Sequence, residues 1–161
     1  MGSKQDLVLI DTNVFVIDLR YKRDTNYQIN RIFLDHIGDT GTGFTTIVNL
    51  LELCGILSFN LNEIQLIELW SYFQDRYGVV VLPVPSFETS FPAIELKQIF
   101  ELTKGRTSLG DALMISVAIK HLPFVSRMAS WDDIHFETIF PGTVLTPEKY
   151  MKGLGGSSSG F

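Results

Sequence analysis

The sequence is poor in cysteine and in long apolar runs. Cys54 is the only cysteine among 161 residues, which excludes an intramolecular disulfide and a zinc site built from several thiolates. The longest apolar stretch, residues 47–59, is interrupted by Asn49 and Glu52, so no segment is expected to span a membrane. The chain does not begin with a basic and apolar leader, and we therefore expect a cytoplasmic protein without membrane contact.

The chain also lacks an excess of positive charge. Lysine and arginine total 13 against 18 acidic residues, for a formal net charge of -5. Proteins that hold nucleic acid by a broad basic face alone carry the opposite balance. With 45% apolar and 19% charged residues the chain is expected to be globular, with one domain at residues 1–152. Residues 153–161, rich in glycine and serine, are predicted to form a flexible tail.

Short apolar runs alternate along the chain with longer segments of helical periodicity. The runs at residues 7–10 and 79–84 are almost continuously apolar, as in strands covered on both faces. Such alternation predicts an α/β fold with a parallel sheet flanked by helices. Further strands are predicted at residues 44–45, 124–129 and 143–145, and helices at residues 14–19, 60–77, 92–103 and 111–121. The helix at 60–77 has one apolar face for the core or an interface, formed by Ile64, Ile67, Trp70 and Phe73.

Acidic residues interrupt apolar segments or follow strands at four places. They are Asp11, Glu52, Asp111, and the pair Asp132 and Asp133. Asp11 follows a buried strand, and the carboxyl ends of strands face the ligand crevice in open α/β sheets. A buried carboxylate is costly unless it is paired or bound to a cation, and convergent carboxylates repel one another. Because Mg²⁺ and Mn²⁺ favour oxygen ligands, the pattern predicts an acidic divalent-metal site.

The same residues also have purely structural explanations. Asp11 fits an Asx turn, which is common after a strand, and Glu52 fits an ion pair with a buried arginine. Two pairs have the spacing of a helix capping box, Ser108 with Asp111 and Ser130 with Asp133. The ordered set of four acidic positions favours the metal site over these separate explanations.

Four segments, taken in order, resemble the motifs of the PIN-domain ribonucleases, and more closely those of the VapC-type toxins. Residues 8–13, Val-Leu-Ile-Asp-Thr-Asn, resemble the family's strand followed by Asp-Thr-Asn. Residues 45–53 are similar to the second motif, in which a Ser/Thr-rich strand end leads to a helical Glu. Residues 108–113 resemble the third motif, an Asp-Ala pair at a helix start, and residues 130–136 the fourth, Thr-Trp-Asp before His-Phe. The resemblance covers about residues 7–150.

This resemblance implies a three-layer α/β/α sandwich with a central, mostly parallel sheet and one acidic cleft. The catalytic and metal-binding residues that it implies are Asp11, Glu52, Asp111 and Asp132. Asp133 is the alternate for the fourth position, because its spacing to Phe136 also fits the motif. The residues implied to support the ligands or to contact phosphates are Thr12, Asn13, Ser108 and Ser130.

The function implied by the resemblance is endoribonuclease activity that depends on Mg²⁺ or Mn²⁺. Water activated by the metal would hydrolyse RNA phosphodiester bonds and leave 5′-phosphate and 3′-hydroxyl ends. The resemblance to VapC-type toxins implies the toxin of a toxin–antitoxin pair, with an antitoxin protein as partner and a homodimer as assembly. A free-standing RNA-processing enzyme would carry the same motifs. The basic clusters either flank the cleft or are simply solvated, and they comprise Arg20, Lys22, Arg23, Lys104 and Arg106.

Three other functions are weighed against this one. A metal-free ribonuclease would need two convergent histidines, and the sequence gives no sign that His36, His121 and His135 converge. A phosphohydrolase of the haloacid-dehalogenase type would need a second Asp two positions after Asp11, where the chain has Asn13. A non-catalytic PIN-fold module that binds a protein partner would not need all four acidic positions to be filled.

Overall fold

The strands are short, apolar and parallel. A computed structural model describes residues 6–156. The strands in this range are β1 (Val8–Ile10), β2 (Gly43–Thr46), β3 (Val79–Leu82), β4 (Arg127–Ala129) and β5 (Thr143–Leu145). They form one sheet in the order β3-β2-β1-β4-β5, and all neighbouring pairs run parallel.

Helices connect and flank these strands. They are α1 (Thr12–Arg20), α2 (Tyr27–Thr40), α3 (Ile47–Leu57), α4 (Glu63–Tyr77), α5 (Leu96–Lys104), α6 (Leu109–His121), α7 (Asp133–Glu137) and α8 (Pro147–Gly156). The starts of α3 and α4 are fixed by capping boxes, the first formed by Thr46 with Asn49 and the second by Asn62 with Gln65. Within residues 6–156, no helix combines the length and the apolar character needed to cross a membrane.

The core lies on both sides of the sheet. All three residues of β1 are completely buried, which requires helices on both faces because neighbouring side chains of a strand point to opposite faces. On one side, the ring of Phe15 from α1 packs edge-on against Phe73 at 4.8 Å and lies 5.0 Å from Tyr77. The predicted α/β/α sandwich with a parallel central sheet is therefore confirmed.

The order of the strands places a crevice at the end of β1. The chain adds β2 and β3 on one side of β1 and then adds β4 and β5 on the other side. Such a reversal separates the connections that leave neighbouring strands, and ligands of open α/β sheets bind in the resulting crevice. Asp11 is the residue that directly follows β1 at this point.

A buried carboxylate joins α1 to α2 and α4. Asp18 is 5% exposed, and one of its oxygens lies 2.7 Å from a guanidinium nitrogen of Arg31. The hydroxyl of Tyr77 donates a hydrogen bond of 2.7 Å to the other oxygen. Both oxygens of Asp18 therefore have a partner, which offsets the desolvation of its charge.

Some predicted elements are shorter than expected. Helix α4 begins at Glu63 with Asn62 as its cap, rather than at residue 60. Helix α5 begins at Leu96 rather than at residue 92, because Pro92 and the preceding prolines lie in an irregular connection. Strand β4 covers only the second half of the predicted 124–129, since the chain still turns at Val125, whose N–H donates to the carbonyl of Leu122.

The predicted apolar face of α4 lies only partly in the core. Ile64 and Ile67 are exposed, and the buried positions are Leu69, Phe73 and Tyr77. These three residues are spaced four apart, so they form a narrower stripe that is rotated around the helix relative to the predicted face. At the other end of the chain, helix α8 includes residues 153–156 of the predicted tail, and residues 157–161 lie outside the described residues.

Candidate active site

Asp11 lies at the bottom of the crevice, as the single residue between β1 and α1. Its carboxylate caps α1 by accepting a hydrogen bond of 2.8 Å from the N–H of Thr12. The other oxygen accepts a hydrogen bond of 2.8 Å from the hydroxyl of Ser130, which follows β4. The side chain thus connects the ends of two neighbouring strands, and it is only 7% exposed.

The environment of Asp11 disfavours its charge. Burial is the main cause that raises the pKa of Asp11 to about 7, from an ordinary value of 3.8. The hydrogen bonds from Ser130 and Thr12 lower this pKa, and the negative charges of Asp111 and Glu52 raise it further. Carboxylates from three separate segments of the chain therefore act on one another at this point of the crevice.

Asp111 projects into the crevice from the first turn of α6. Ser108 caps this helix by accepting a hydrogen bond of 3.2 Å from the N–H of Asp111. Only this half of the expected capping box is formed, because the Asp111 carboxylate turns away and lies 3.1 Å from Nε2 of His135. Both side chains of that contact are about one-third exposed, so the carboxylate remains accessible to a ligand.

Glu52 reaches the same region from α3. The sequence predicted apolar surroundings for this residue, but Glu52 is exposed, because α3 buries Leu50 and Leu53 on its other side. Its Oε2 lies against Gly110 of α6, where an added Cβ would stand 3.3 Å from it. A glycine at this position therefore leaves room for the Glu52 carboxylate beside the helix that carries Asp111.

The structure separates the two candidates for the fourth acidic position. Asp133 is buried, and its carboxylate lies 2.6 Å from the ammonium group of Lys149 on α8. Asp132 is exposed, and within the described chain its carboxylate has neither a hydrogen bond nor an ion pair. The capping box expected of Ser130 and Asp133 is wrong, because the Ser130 hydroxyl accepts a hydrogen bond from the N–H of Asp132 instead.

Polar side chains behind the carboxylates hold the strand ends together. Ser130 donates to Asp11, and its oxygen also accepts hydrogen bonds from Nδ2 of Asn13 at 3.2 Å and from the N–H of Asp132 at 3.0 Å. Thr12 is buried, and its hydroxyl oxygen accepts a hydrogen bond of 3.0 Å from Nδ2 of Asn49. The predicted supporting residues Thr12, Asn13 and Ser130 thus lie around Asp11.

Asn49 is a supporting residue that the sequence analysis missed. Its side-chain oxygen accepts hydrogen bonds from the N–H and the hydroxyl of Thr46, and its nitrogen reaches Thr12. These contacts tie the start of α3, and with it Glu52 one turn later, to the Asp11 loop. The available signal was a polar residue in an otherwise apolar helix, and it does not reveal the partner on α1.

The donor chemistry of the site fits a hard divalent cation. Its acidic side chains carry only carboxylate oxygens, the ligands that Mg²⁺ and Mn²⁺ prefer, and a cation would offset the unfavourable charge of buried Asp11. Within residues 6–156, no three His, Cys, Asp or Glu side chains are gathered closely enough to form a finished metal site.

The basic clusters differ in their distance from this crevice. Arg20 is the last residue of α1, about 12 Å along the helix axis from Thr12, so the cluster that it begins lies at the opposite end of α1 from Asp11. Lys104 is engaged in an ion pair of 2.7 Å with Glu101. Arg106 is nearer to the site, two residues before the cap of α6, and has a left-handed backbone with φ of 68°.

One family model matches the part of the chain that contains the first three motifs. The PIN domain family matches residues 8–122, which is more than half of the chain and includes Asp11, Glu52 and Asp111. The chain belongs to the PIN-domain family. The resemblance inferred from the motifs is thereby confirmed, while the fourth motif lies beyond the matched residues. No curated protein sequence matches this PIN domain.

Solved structures share the fold of this PIN domain at low sequence identity. FitAcB from Neisseria gonorrhoeae is similar with a TM-score of 0.59 and 17% identity, over 88% of this chain and 99% of that one. VapBC2 from Rickettsia felis, bound to a DNA fragment from its promoter, has a TM-score of 0.56 and 18% identity, over 87% and 98%. VapBC-1 from nontypeable Haemophilus influenzae has a TM-score of 0.55 and 14% identity, over 89% and 99%. These similarities show a common fold.

Proposed function

We propose that this PIN domain is a divalent-metal-dependent endoribonuclease and the toxin of a toxin–antitoxin pair. The observation that carries the proposal is the burial of the Asp11 carboxylate beside Asp111 and Glu52, whose charges help to raise its pKa. Strongly perturbed carboxylates in a crevice are typical of functional sites. Stability alone does not account for this arrangement, because Asp11 has no cation as a partner within the described residues, in contrast to Asp18 with Arg31.

In this proposal the residues that hold Mg²⁺ or Mn²⁺ are Asp11, Glu52, Asp111 and Asp132. When bound, the ion activates a water molecule and neutralises charge on the phosphate. Ser130 orients Asp11 through its hydrogen bond, and His135 orients Asp111. Gly110 leaves the space that Glu52 occupies beside α6.

The exposed positions of Asp132 and Glu52 suit contact with substrate. Both side chains are exposed, whereas Asp11 is buried. In the absence of a cation the crevice carries only negative charge from these groups and repels RNA. Binding of RNA and hydrolysis of RNA should therefore depend on the same cation.

The protein partner in this proposal is an antitoxin. Its support comes from the fold shared with VapBC2, FitAcB and VapBC-1, together with the resemblance of the motifs to VapC-type toxins. A homodimer remains part of the proposal on the same grounds. Sedimentation of the purified chain with and without the protein encoded beside it would test both expectations.

A cleavage assay tests the proposed activity. Purified protein is incubated with a 5′-labelled single-stranded RNA in Mn²⁺ and in excess EDTA, and the products are separated by size. We expect cleavage only in Mn²⁺, and loss of cleavage in Asp111→Asn. The matched control is Asp75→Asn, which changes an exposed aspartate on α4 and should keep wild-type activity. Undiminished cleavage in EDTA would refute the metal mechanism.

The same assay separates the alternatives. A phosphohydrolase of the haloacid-dehalogenase type would release phosphate from small phosphate esters and leave RNA intact. The position that such an enzyme needs as acid and base is occupied by Asn13, whose amide is engaged with Ser130 and the N–H of Trp131. A non-catalytic module would be inactive on both substrates with either cation.

A further inference from the structure

Asn30 is a completely buried polar residue outside the crevice. It lies on α2, and its Nδ2 donates a hydrogen bond of 2.8 Å to the carbonyl oxygen of Val14 on α1. Its Oδ1 accepts a hydrogen bond of 2.8 Å from Nε1 of Trp131. Both ends of the amide are therefore used, and they connect two helices to the residue that directly precedes Asp132.

The other side of Trp131 is held by Asn13. The N–H of Trp131 donates a hydrogen bond of 3.3 Å to Oδ1 of Asn13, while Nδ2 of Asn13 donates to Ser130. Residues 130–132 are thus fixed at three points: the Ser130 hydroxyl, the Trp131 backbone and the Trp131 ring. The ring is fixed by Asn30, which is 101 residues away in sequence.

Asp132 depends on this segment for its position. Its carboxylate is exposed and has no hydrogen bond or ion pair within the described chain, so no direct contact orients it. Its N–H is bound to Ser130, which itself contacts Asp11. The place of Asp132 relative to Asp11 is therefore set by the backbone of residues 130–132.

We propose that Asn30 and Trp131 are positioning residues that act as a pair to hold Asp132 in the active crevice. This inference rests on the proposed nuclease function. The buried amide of Asn30 donates one hydrogen bond to α1 and accepts another from the indole N–H of Trp131. These two bonds fix the distance and the orientation of the indole ring, which apolar packing alone would not do. Side chains that orient metal ligands from behind commonly change metal affinity or activity about 10- to 100-fold when replaced.

Three variants test the pair. Trp131→Phe removes the indole N–H donor and keeps an aromatic ring. Asn30→Leu replaces the side-chain amide by an apolar group of similar size. The double variant removes both partners, so that neither leaves a buried polar atom unpaired, and stability lost in the single variants should be partly recovered. Tyr77→Phe is the matched control, because it deletes a buried aromatic donor to Asp18, away from the crevice.

Each variant is measured in three ways. Thermal unfolding reports stability, kcat and KM for a short RNA report catalysis, and the electron paramagnetic resonance signal of free Mn²⁺ reports metal binding without RNA. We expect each single variant to lower kcat about 10- to 100-fold with little change in KM, and to weaken Mn²⁺ binding by a similar factor. The double variant should be no worse than either single variant, because both act through one bond. Tyr77→Phe should lose stability only.

The results separate a positioning role from a structural one. The positioning role would be overturned if the double variant recovered wild-type kcat and Mn²⁺ affinity along with its stability. It would also be overturned if the single variants kept wild-type kcat and Mn²⁺ affinity. If Asn30→Leu does not fold, Trp131→Phe alone decides, since it deletes the same bond and keeps the aromatic ring. A wild-type protein that neither binds Mn²⁺ nor cleaves RNA would overturn the proposed function and this inference together, whereas an active wild type with unaffected variants overturns this inference alone.

Discussion

Replacement of Asp11 by asparagine should stabilise the metal-free protein at alkaline pH. Because the pKa of Asp11 rises on folding from 3.8 to about 7, the folded protein binds more protons than the unfolded chain between these pH values. Stability contributed by the protonated side chain is therefore present at acidic pH and is lost as the pH rises through this window. Above pH 7 the carboxylate is ionised in both states, but only in the folded protein is this charge buried and therefore unfavourable.

The size of the effect follows from the same shift. The ionised carboxylate lowers the free energy of unfolding by about 4 kcal/mol above pH 7, relative to a side chain that stays neutral. Asparagine avoids this cost but keeps only one acceptor oxygen, while Thr12 and Ser130 both donate to residue 11. Loss of one such hydrogen bond costs about 1–2 kcal/mol. The net stabilisation at pH 8 should be about 2–3 kcal/mol.

Urea denaturation in EDTA at pH 8 and at pH 4 measures this difference. Asp11→Asn should be the more stable protein at pH 8 and should lose this advantage at pH 4. The matched control is Asp18→Asn, another buried aspartate, whose charge is paired with Arg31 and hydrogen-bonded by Tyr77. This control should be destabilised at pH 8 by about 1–3 kcal/mol, since it leaves Arg31 without its buried partner. If Asp11→Asn were only as stable as the wild type at pH 8, or less stable, the argument that the ionised Asp11 destabilises the folded protein would be refuted.

Four further substitutions test separate parts of the site. Asp132→Asn should lower kcat by orders of magnitude at saturating Mn²⁺. Asp133→Asn should lower mainly the free energy of unfolding, by about 1 kcal/mol or less, because its lysine partner is exposed and the ion pair is screened by solvent. An inactive Asp133→Asn and an active Asp132→Asn would reverse the assignment. Gly110→Ala should lower kcat up to about tenfold, because the added methyl group would displace the Glu52 carboxylate. Urea denaturation should show unchanged or slightly higher stability, and a wild-type kcat would contradict the importance of this contact. His135→Phe keeps a ring but removes the nitrogen that contacts Asp111, and it should weaken Mn²⁺ binding about 10- to 100-fold in a calorimetric titration. Unchanged affinity would show that this histidine does not orient its aspartate.

The position of Asp11 could be predicted from the sequence, whereas that of Glu52 could not. A continuous apolar run that ends in Asp identifies a buried strand and a carboxylate at its end, because both signals are local in the chain. Glu52 lies in a helix that is apolar on nearly all sides, so periodicity does not show which side faces the core. The neighbouring helix α6 decides this, and α6 follows Glu52 by more than fifty residues.

The different surroundings of Asp132 and Asp133 are also visible only in the tertiary structure. Both residues follow β4 and both fit a version of the fourth motif. The distinction comes from Lys149, which lies 16 residues after Asp133 and engages its carboxylate. Likewise, Asn30 gives no functional signal in sequence, because its partner Trp131 is distant and the pair is formed only by packing of α2 beside the end of β4.

The end groups of the RNA products test the central claim most directly. Hydrolysis by water at a site of carboxylates and a divalent cation leaves a 5′-phosphate on the downstream fragment and a 3′-hydroxyl on the upstream fragment. Wild-type protein in Mn²⁺ should give these ends, and an RNA with a 2′-deoxyribose at the cleavage position should still be cut. Upstream fragments that end in a 2′,3′-cyclic phosphate, with no cutting of the 2′-deoxy substrate, would contradict the account.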